Sequence, residues 1–95
     1  INAPPKVGGA IHYAVARRRP GMVKLLLEYG AMVNAIDDRE NTPLMLAAKS
    51  GQADIARMLL ERGADKSIVD ANSQTAIEAA RAQGHPDIVA MLEDK

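Results

Sequence analysis

The sequence predicts an all-α repeat solenoid of stacked helix-turn-helix pairs, and three observations carry that prediction. The first is a period of 33 residues: Thr42 recurs as Thr75, Leu44 as Ile77, Ala47 as Ala80, Gly51 as Gly84, Asp54 as Asp87, Ile55 as Ile88, Met58 as Met91 and Leu59 as Leu92. The same frame runs upstream, where Ile11, Ala14, Met22, Leu26, Leu27, Gly30 and Ala31 answer Leu44, Ala47, Ile55, Leu59, Leu60, Gly63 and Ala64. A fixed period of this size marks units that bury their apolar faces only by stacking on a neighbour. The second observation is composition. The chain is 47% hydrophobic yet has no Phe, no Trp and only Tyr13 and Tyr29 in 95 residues. That suits a thin, continuous core of small and aliphatic side chains better than one closed core, which is marginal at this length. The third is the pair of helix signals inside each period.

In the middle unit, Thr42 is placed to cap a helix that Pro43 opens, where a missing N–H costs nothing. Leu44, Ala47 and Ala48 supply its apolar stripe until Gly51. A second helix runs from about Ala53, carries Ile55, Met58, Leu59 and Leu60 at helical spacing and stops at Gly63, with Asp54 near its positive end. The last unit follows the same plan: Thr75 caps, Glu78 completes a capping-box pattern, and His85, Pro86 and Asp87 open the second helix. The first unit is looser, since Gly9 stands at the capping position and Arg18 at the turn glycine. Its helices are expected at about Ala10 to Arg17 and Pro20 to Tyr29. Gly30 to Asn41 and Gly63 to Gln74 read as extended connectors with a tight turn. The units are therefore about 4–36, 37–69 and 70–95, forming one array over 1–95. The last unit is polar where inner units are apolar: Glu93 stands for Leu27 and Leu60, and Arg81 for Val15 and Ala48. A capping unit that ends the array near Lys95 is expected from this. A chain opening at Ile1 is expected to be cut from something longer, with Tyr29 and Met32 suited to a preceding unit or a partner.

Equal numbers of basic and acidic residues, twelve of each, remove the bulk electrostatic argument for nucleic acid or an anionic membrane. The charge is uneven, with five Lys/Arg against one Glu in residues 1–36 and seven against eleven Asp/Glu in residues 37–95. The absence of Cys excludes disulfides and thiolate metal sites and suits a reducing, intracellular compartment, cytoplasmic or nuclear. No apolar run is long enough to span a membrane.

Catalysis needs a base, a nucleophile or a metal brought together. His12 and His85 occupy non-equivalent places two units apart. The first reads as a structural hydrogen-bonding residue and the second as a solvated one. Gly63-Ala64-Asp65-Lys66-Ser67 echoes the end of a phosphate loop but lacks its first Gly, and Asp65 would repel phosphate. Glu78 is explained by capping, and Asp37 and Asp38 by turns. Arg17, Arg18 and Arg19 read first as a solvated helix end, then as a patch for an acidic protein. Without interleaved aromatics they make a weak nucleic-acid site. The methionines fall on core positions. No enzyme activity, cofactor or metal is expected.

These residues resemble the ankyrin repeat family. Its hallmark T-P-L-H-x-A appears as Thr42-Pro43-Leu44-Met45-Leu46-Ala47, as Thr75-Ala76-Ile77-Glu78-Ala79-Ala80, and most faintly as Gly9-Ala10-Ile11-His12-Tyr13-Ala14. Its Leu-Leu, Gly-Ala and Asn-Ala signature appears as Leu26-Leu27, Gly30-Ala31 and Asn34-Ala35. It recurs as Leu59-Leu60 with Gly63-Ala64-Asp65. Met45 and Glu78 replace the motif His, and Glu40 and Ser73 stand where a turn Gly is usual. The resemblance implies helix pairs joined by β-hairpin-like fingers, acting as a protein–protein interaction module whose partner docks on fingertips and the concave face of the first helices. Carried over, the partner-binding residues are Arg39, Asn41, Lys49, Ser50, Asn72, Gln74, Gln83 and Arg17, flanked by Lys6, Ala16, Asp38, Ala71 and Ala82. Arg39, Asn41, Lys49, Asn72, Gln74 and Gln83 are read as free of structural duty, with Arg39 the expected hot spot. The family also implies Asn34, eight residues after Leu26, as a hydroxylation site. A monomer with one unidentified protein partner is the leading expectation. A regulatory or targeting segment of a larger enzyme or channel is an alternative, as is electrostatic nucleic-acid binding by the basic first repeat.

Overall fold

The computed structural model describes residues 10–37 and 39–93. Among them are six helices and no strand: α1 (Ala10–Ala16), α2 (Pro20–Glu28), α3 (Pro43–Ser50), α4 (Ala53–Glu61), α5 (Ala76–Ala82) and α6 (Pro86–Glu93). They form three antiparallel pairs stacked in chain order, with 35 Å as the longest principal dimension and 26 and 23 Å as the others.

The local chemistry of α3 and α5 matches their sequence signals. Thr42 is extended at φ −84° and its Oγ1 accepts the Met45 N–H at 3.2 Å, so Pro43 enters the helix with no donor to lose. Thr75 and Glu78 form the reciprocal capping box, Glu78 Oε1 accepting the Thr75 N–H at 2.9 Å. Gly51 closes α3 in the left-handed region. Arg18 takes the equivalent turn at φ 59°, and Glu40 and Ser73 both lie at φ 63°. A side chain therefore sits in the left-handed region at each place where the sequence lacks the usual glycine.

The hydrophobic core is one continuous layer. Ile11, Ala14 and Val15 on α1 meet Leu44, Ala47 and Ala48 on α3, which continue into Ala76 and Ala80 on α5. Val23, Leu27, Ile55, Ala56, Leu59, Ile88 and Leu92 fill the second-helix side. The first helices approach one another more closely than the second helices do. Alanines at the α1–α3–α5 contacts allow this, because interhelical distance is set by the side chains between the axes.

The connectors are turns stapled by few bonds. Asp37 N–H donates to the Asn41 carbonyl at 3.0 Å, and Asp70 N–H to the Gln74 carbonyl at 3.0 Å. Inside each turn a carboxylate accepts two backbone N–H groups: Asp37 Oδ1 from Arg39 and Asn41, and Asp70 Oδ1 from Asn72 and Gln74. These are side-chain-directed Asx turns. The two fingers are joined by Ala71 N–H donating to the Arg39 carbonyl at 3.1 Å.

Candidate functional site

The turns place Arg39 and Asn72 at the tips of adjacent fingers, both exposed, and the Ala71–Arg39 bond fixes their spacing. Below the tips a cleft of about 310 Å³ is lined by Arg39, Asn41, Lys49, Asp70, Ala71 and Asn72. Its floor is a charged network. Lys49 Nζ donates to Asn41 Oδ1 at 2.7 Å and to Asp70 Oδ2 at 3.1 Å. Asp70 is 4% exposed. Burial pushes its carboxyl up, but the bonds from Gln74, Lys49 and Asn72 together outweigh it and hold the group below the usual carboxylate range.

Three of the sequence-derived positions serve the fold; for Asn41 and Lys49 this corrects the reading that the repeat makes no demand on them, and Ser50 joins them. Asn41 is buried: its carbonyl accepts the His12 Nε2 bond at 2.8 Å while its side chain receives Lys49. Lys49 is half-buried in the bridge just described. Ser50 donates its hydroxyl to the Leu46 carbonyl at 2.7 Å and accepts Gln52 Nε2 at 2.6 Å, and its own carbonyl accepts Arg18 at 2.9 Å. Only three-dimensional packing reveals these partners, which lie 8 to 32 residues away for Lys49 and for the Ser50 carbonyl. Arg39, Asn72 and Gln83 are exposed and Gln74 is half-buried. Lys6 and Asp38 lie outside the described residues.

Arg17 is exposed, and its guanidinium sits over the Tyr13 ring, 5.4 Å from the centroid. Tyr13 was not among the sequence-derived site residues. It is 64% exposed, at the position equivalent to Leu46 and Ala79 on the next first helices. The signal was present in the i, i+4 spacing of Tyr13 and Arg17, which puts an aromatic beside an arginine on one helix face. The neighbouring Arg18 and Arg19 are both exposed, and Arg18 reaches back to the Ser50 carbonyl.

The two histidines differ as well. His12 is 3% exposed and bound to Asn41, the structural role its motif position implies, and its Nδ1 has no partner among the described residues. His85 is half-buried rather than solvated, its ring lying over Gly51 so closely that a Cβ there would come 2.7 Å from Cε1. Asn34 is half-buried and its Oδ1 accepts the Asp65 N–H at 2.8 Å. No described helix is long and apolar enough to cross a membrane.

Three helix pairs in a 33-residue frame, with turn fingers projecting between them, define a helical repeat module. A profile of the ankyrin repeat family, described as ankyrin repeats in three copies, matches residues 5–70. The chain belongs to that family. A protein of fowlpox virus (strain NVSL), named as an ankyrin repeat protein, is 60% identical over 30 residues. That stretch is 32% of this chain and 5% of the viral protein, so the chain spans a small part of that relative. Ankyrin repeats are in general protein–protein interaction modules and are typically non-catalytic.

Proposed function

We propose that this chain is a docking module that binds another protein across the middle and last fingers and the adjoining first helices, without catalysing a reaction. The observation that carries this reading is the bracing of the two fingertips. The Ala71–Arg39 backbone bond and the Lys49 bridge to Asn41 and Asp70 hold the tips to each other and to α3. Exposed Arg39 and Asn72 are thereby presented at a set distance, and a braced surface loses little ordering entropy on docking.

The contact residues of this reading are Arg39, Asn72, Gln74, Gln83 and Arg17, with Tyr13 beside Arg17. Asn41, Lys49 and Ser50 hold them from beneath. The carboxylates of Asp37 and Asp70 are engaged in the turns, whereas Arg17 and Arg39 face outward, Arg39 with exposed Glu40 as its neighbour. The surface therefore suits a partner that brings carboxylates to the two arginines and an apolar side chain to Tyr13. Tyrosine and arginine are the side chains that most often dominate such contacts.

Cross-linked affinity capture followed by substitution tests the reading. Arg39→Ala and Gln74→Ala should weaken binding of the captured partner at unchanged melting temperature, with Arg39→Ala losing about tenfold, or roughly 1.4 kcal/mol. Changes at exposed Arg57 and Ala90, on α4 and α6, should do little. Loss of binding through Arg57 and Ala90 with the finger variants intact would move the site to the outer side.

A further inference from the structure

The first helix pair departs from the two that follow it at one face. Met22 and Leu26 on α2 stand where α4 carries Ile55 and Leu59 and α6 carries Ile88 and Leu92. Those four downstream residues are at most 1% exposed, with α4 lying against α2 and α6 against α4. Met22 is 46% exposed and Leu26 only half-buried. Leu25 at 45% and Tyr29 at 84% complete the run. Positions 22, 25, 26 and 29 follow helical spacing, so the four side chains form one apolar stripe. Met32, at 73% exposed, continues it past the helix end. The middle unit places Arg62 and Asp65 where Tyr29 and Met32 stand.

We infer that this stripe is a stacking face, covered by a further helix pair of the same kind packed upstream of α1 and α2. The argument is continuity with an interface already built twice in the molecule: the equivalent side chains of α4 and α6 are buried against the pair before them. A run of exposed apolar side chains along one helix is the kind of surface that marks a contact. The other end of the stack is a poor occupant for it. Arg81 and Glu93 there form an exposed ion pair at 3.2 Å, and a second copy stacked head-to-tail would bring both charges onto the stripe. This face lies apart from the fingers, so the inference stands whether or not the docking reading holds.

The test adds a unit of known sequence. Residues 37–75 of the chain itself are joined directly to Ala10, in register because Thr75 occupies the position before Ala76 that Gly9 occupies before Ala10. Methionine oxidation by peroxide then reads the face, since a thioether reacts according to its exposure. In the 95-residue chain Met22 should oxidise readily and Met45, 1% exposed, slowly. In the extended chain Met22 should slow toward Met45 and the melting temperature should rise. Met22→Lys should abolish that rise while leaving the 95-residue chain as stable as its parent. Met22 remaining reactive in a folded extended chain, or a rise that survives Met22→Lys, would overturn the inference. So would concentration-dependent protection of Met22 in the 95-residue chain alone with a doubled mass in sedimentation, because a second copy would then be the occupant.

Discussion

Between the first and middle helix pairs the polar contacts run from side chains to backbone carbonyls. Gln52 Nε2 donates to Val15 at 2.8 Å, His12 Nε2 to Asn41 at 2.8 Å and Arg18 to Ser50 at 2.9 Å. Between the middle and last pairs the central contact is ionic, with Lys49 on a nearly buried Asp70 and a backbone bond between the fingertips. The sequence frame is the same at both junctions, and Asp37 is the equivalent of Asp70. Yet Ala16 stands where Lys49 stands one unit later, so Asp37 closes its own turn without a cation from the first helix. One residue of difference at a repeat position gives the second junction an ion pair where the first has bonds to backbone carbonyls. Apolar stacking sets the architecture, and each junction then pairs most of its buried polar atoms with whatever its own sequence supplies.

The largest effect should come from the core that both junctions share. Leu59 is fully buried on α4, which contacts α2 and α6. Leu59→Ala should cost roughly 2–5 kcal/mol in urea unfolding and shift all three units together. Leu26→Ala, at the equivalent but half-buried position, should cost well under half as much. Equal costs would mean that the two second helices are covered alike, contrary to their exposures.

Next comes the charged junction. Asp70→Asn should destabilise by about 1.5–3 kcal/mol at neutral pH, the range for hydrogen bonds to a charged group. Because the folded carboxyl sits below its unfolded value, its contribution is present above the unfolded pKa of about 4. It is lost as pH falls through the lower folded value. The variant should therefore lose less stability than the parent on acidification below about pH 4. Asp65, held low by the Ser67 hydroxyl and N–H, adds the same slope to both proteins. Gln52→Ala removes a bond between uncharged groups at the first junction and should leave the acid slope as in the parent. A Gln52 variant with a flattened slope would break the distinction between the junctions.

Glycine substitutions offer a smaller contrast. Gly51 and Gly63 both have positive φ, so alanine at either should cost about 1–2 kcal/mol. Gly51→Ala should cost more, because its Cβ must displace the His85 ring whereas Gly63 has open space around it. Calorimetric melting of the two variants compares them directly.

The helices were legible because their signals are local: Thr42 and Thr75 as caps, Pro20, Pro43 and Pro86 as first residues, and apolar spacing between them. The left-handed turns at Arg18, Glu40 and Ser73 were legible as departures from glycine in the repeat frame. The proposed docking face was legible only as a side of the helix. Whether a polar residue on that side is free depends on a partner 21 residues away for Lys49 or 29 for His12 and Asn41, and no periodicity encodes that. Tyr13 was hidden for the opposite reason, since an aromatic in an apolar run reads as core until the alanine-spaced first helices are seen to leave it outside.

The smallest effects should come from relieving the left-handed side chains, and they separate the junctions once more. Ser73 lies at the tip of the last finger, where its N–H donates to the Asp70 carbonyl at 2.9 Å. Glycine keeps that bond and removes the Cβ strain of roughly 1–2 kcal/mol. Against this stands the extra backbone entropy that a glycine loses, roughly 0.5–1 kcal/mol. Ser73→Gly should thus stabilise by about 0.5 kcal/mol, near the resolution of denaturant titration. Arg18→Gly removes the same strain but also the Arg18–Ser50 bond that spans the first junction, a net contribution of about 0.5–1.5 kcal/mol. The two terms should cancel, leaving Arg18→Gly neutral or slightly destabilising. Should Arg18→Gly stabilise as much as Ser73→Gly, the bond to Ser50 contributes nothing. The first junction would then rest on Gln52, His12 and apolar stacking.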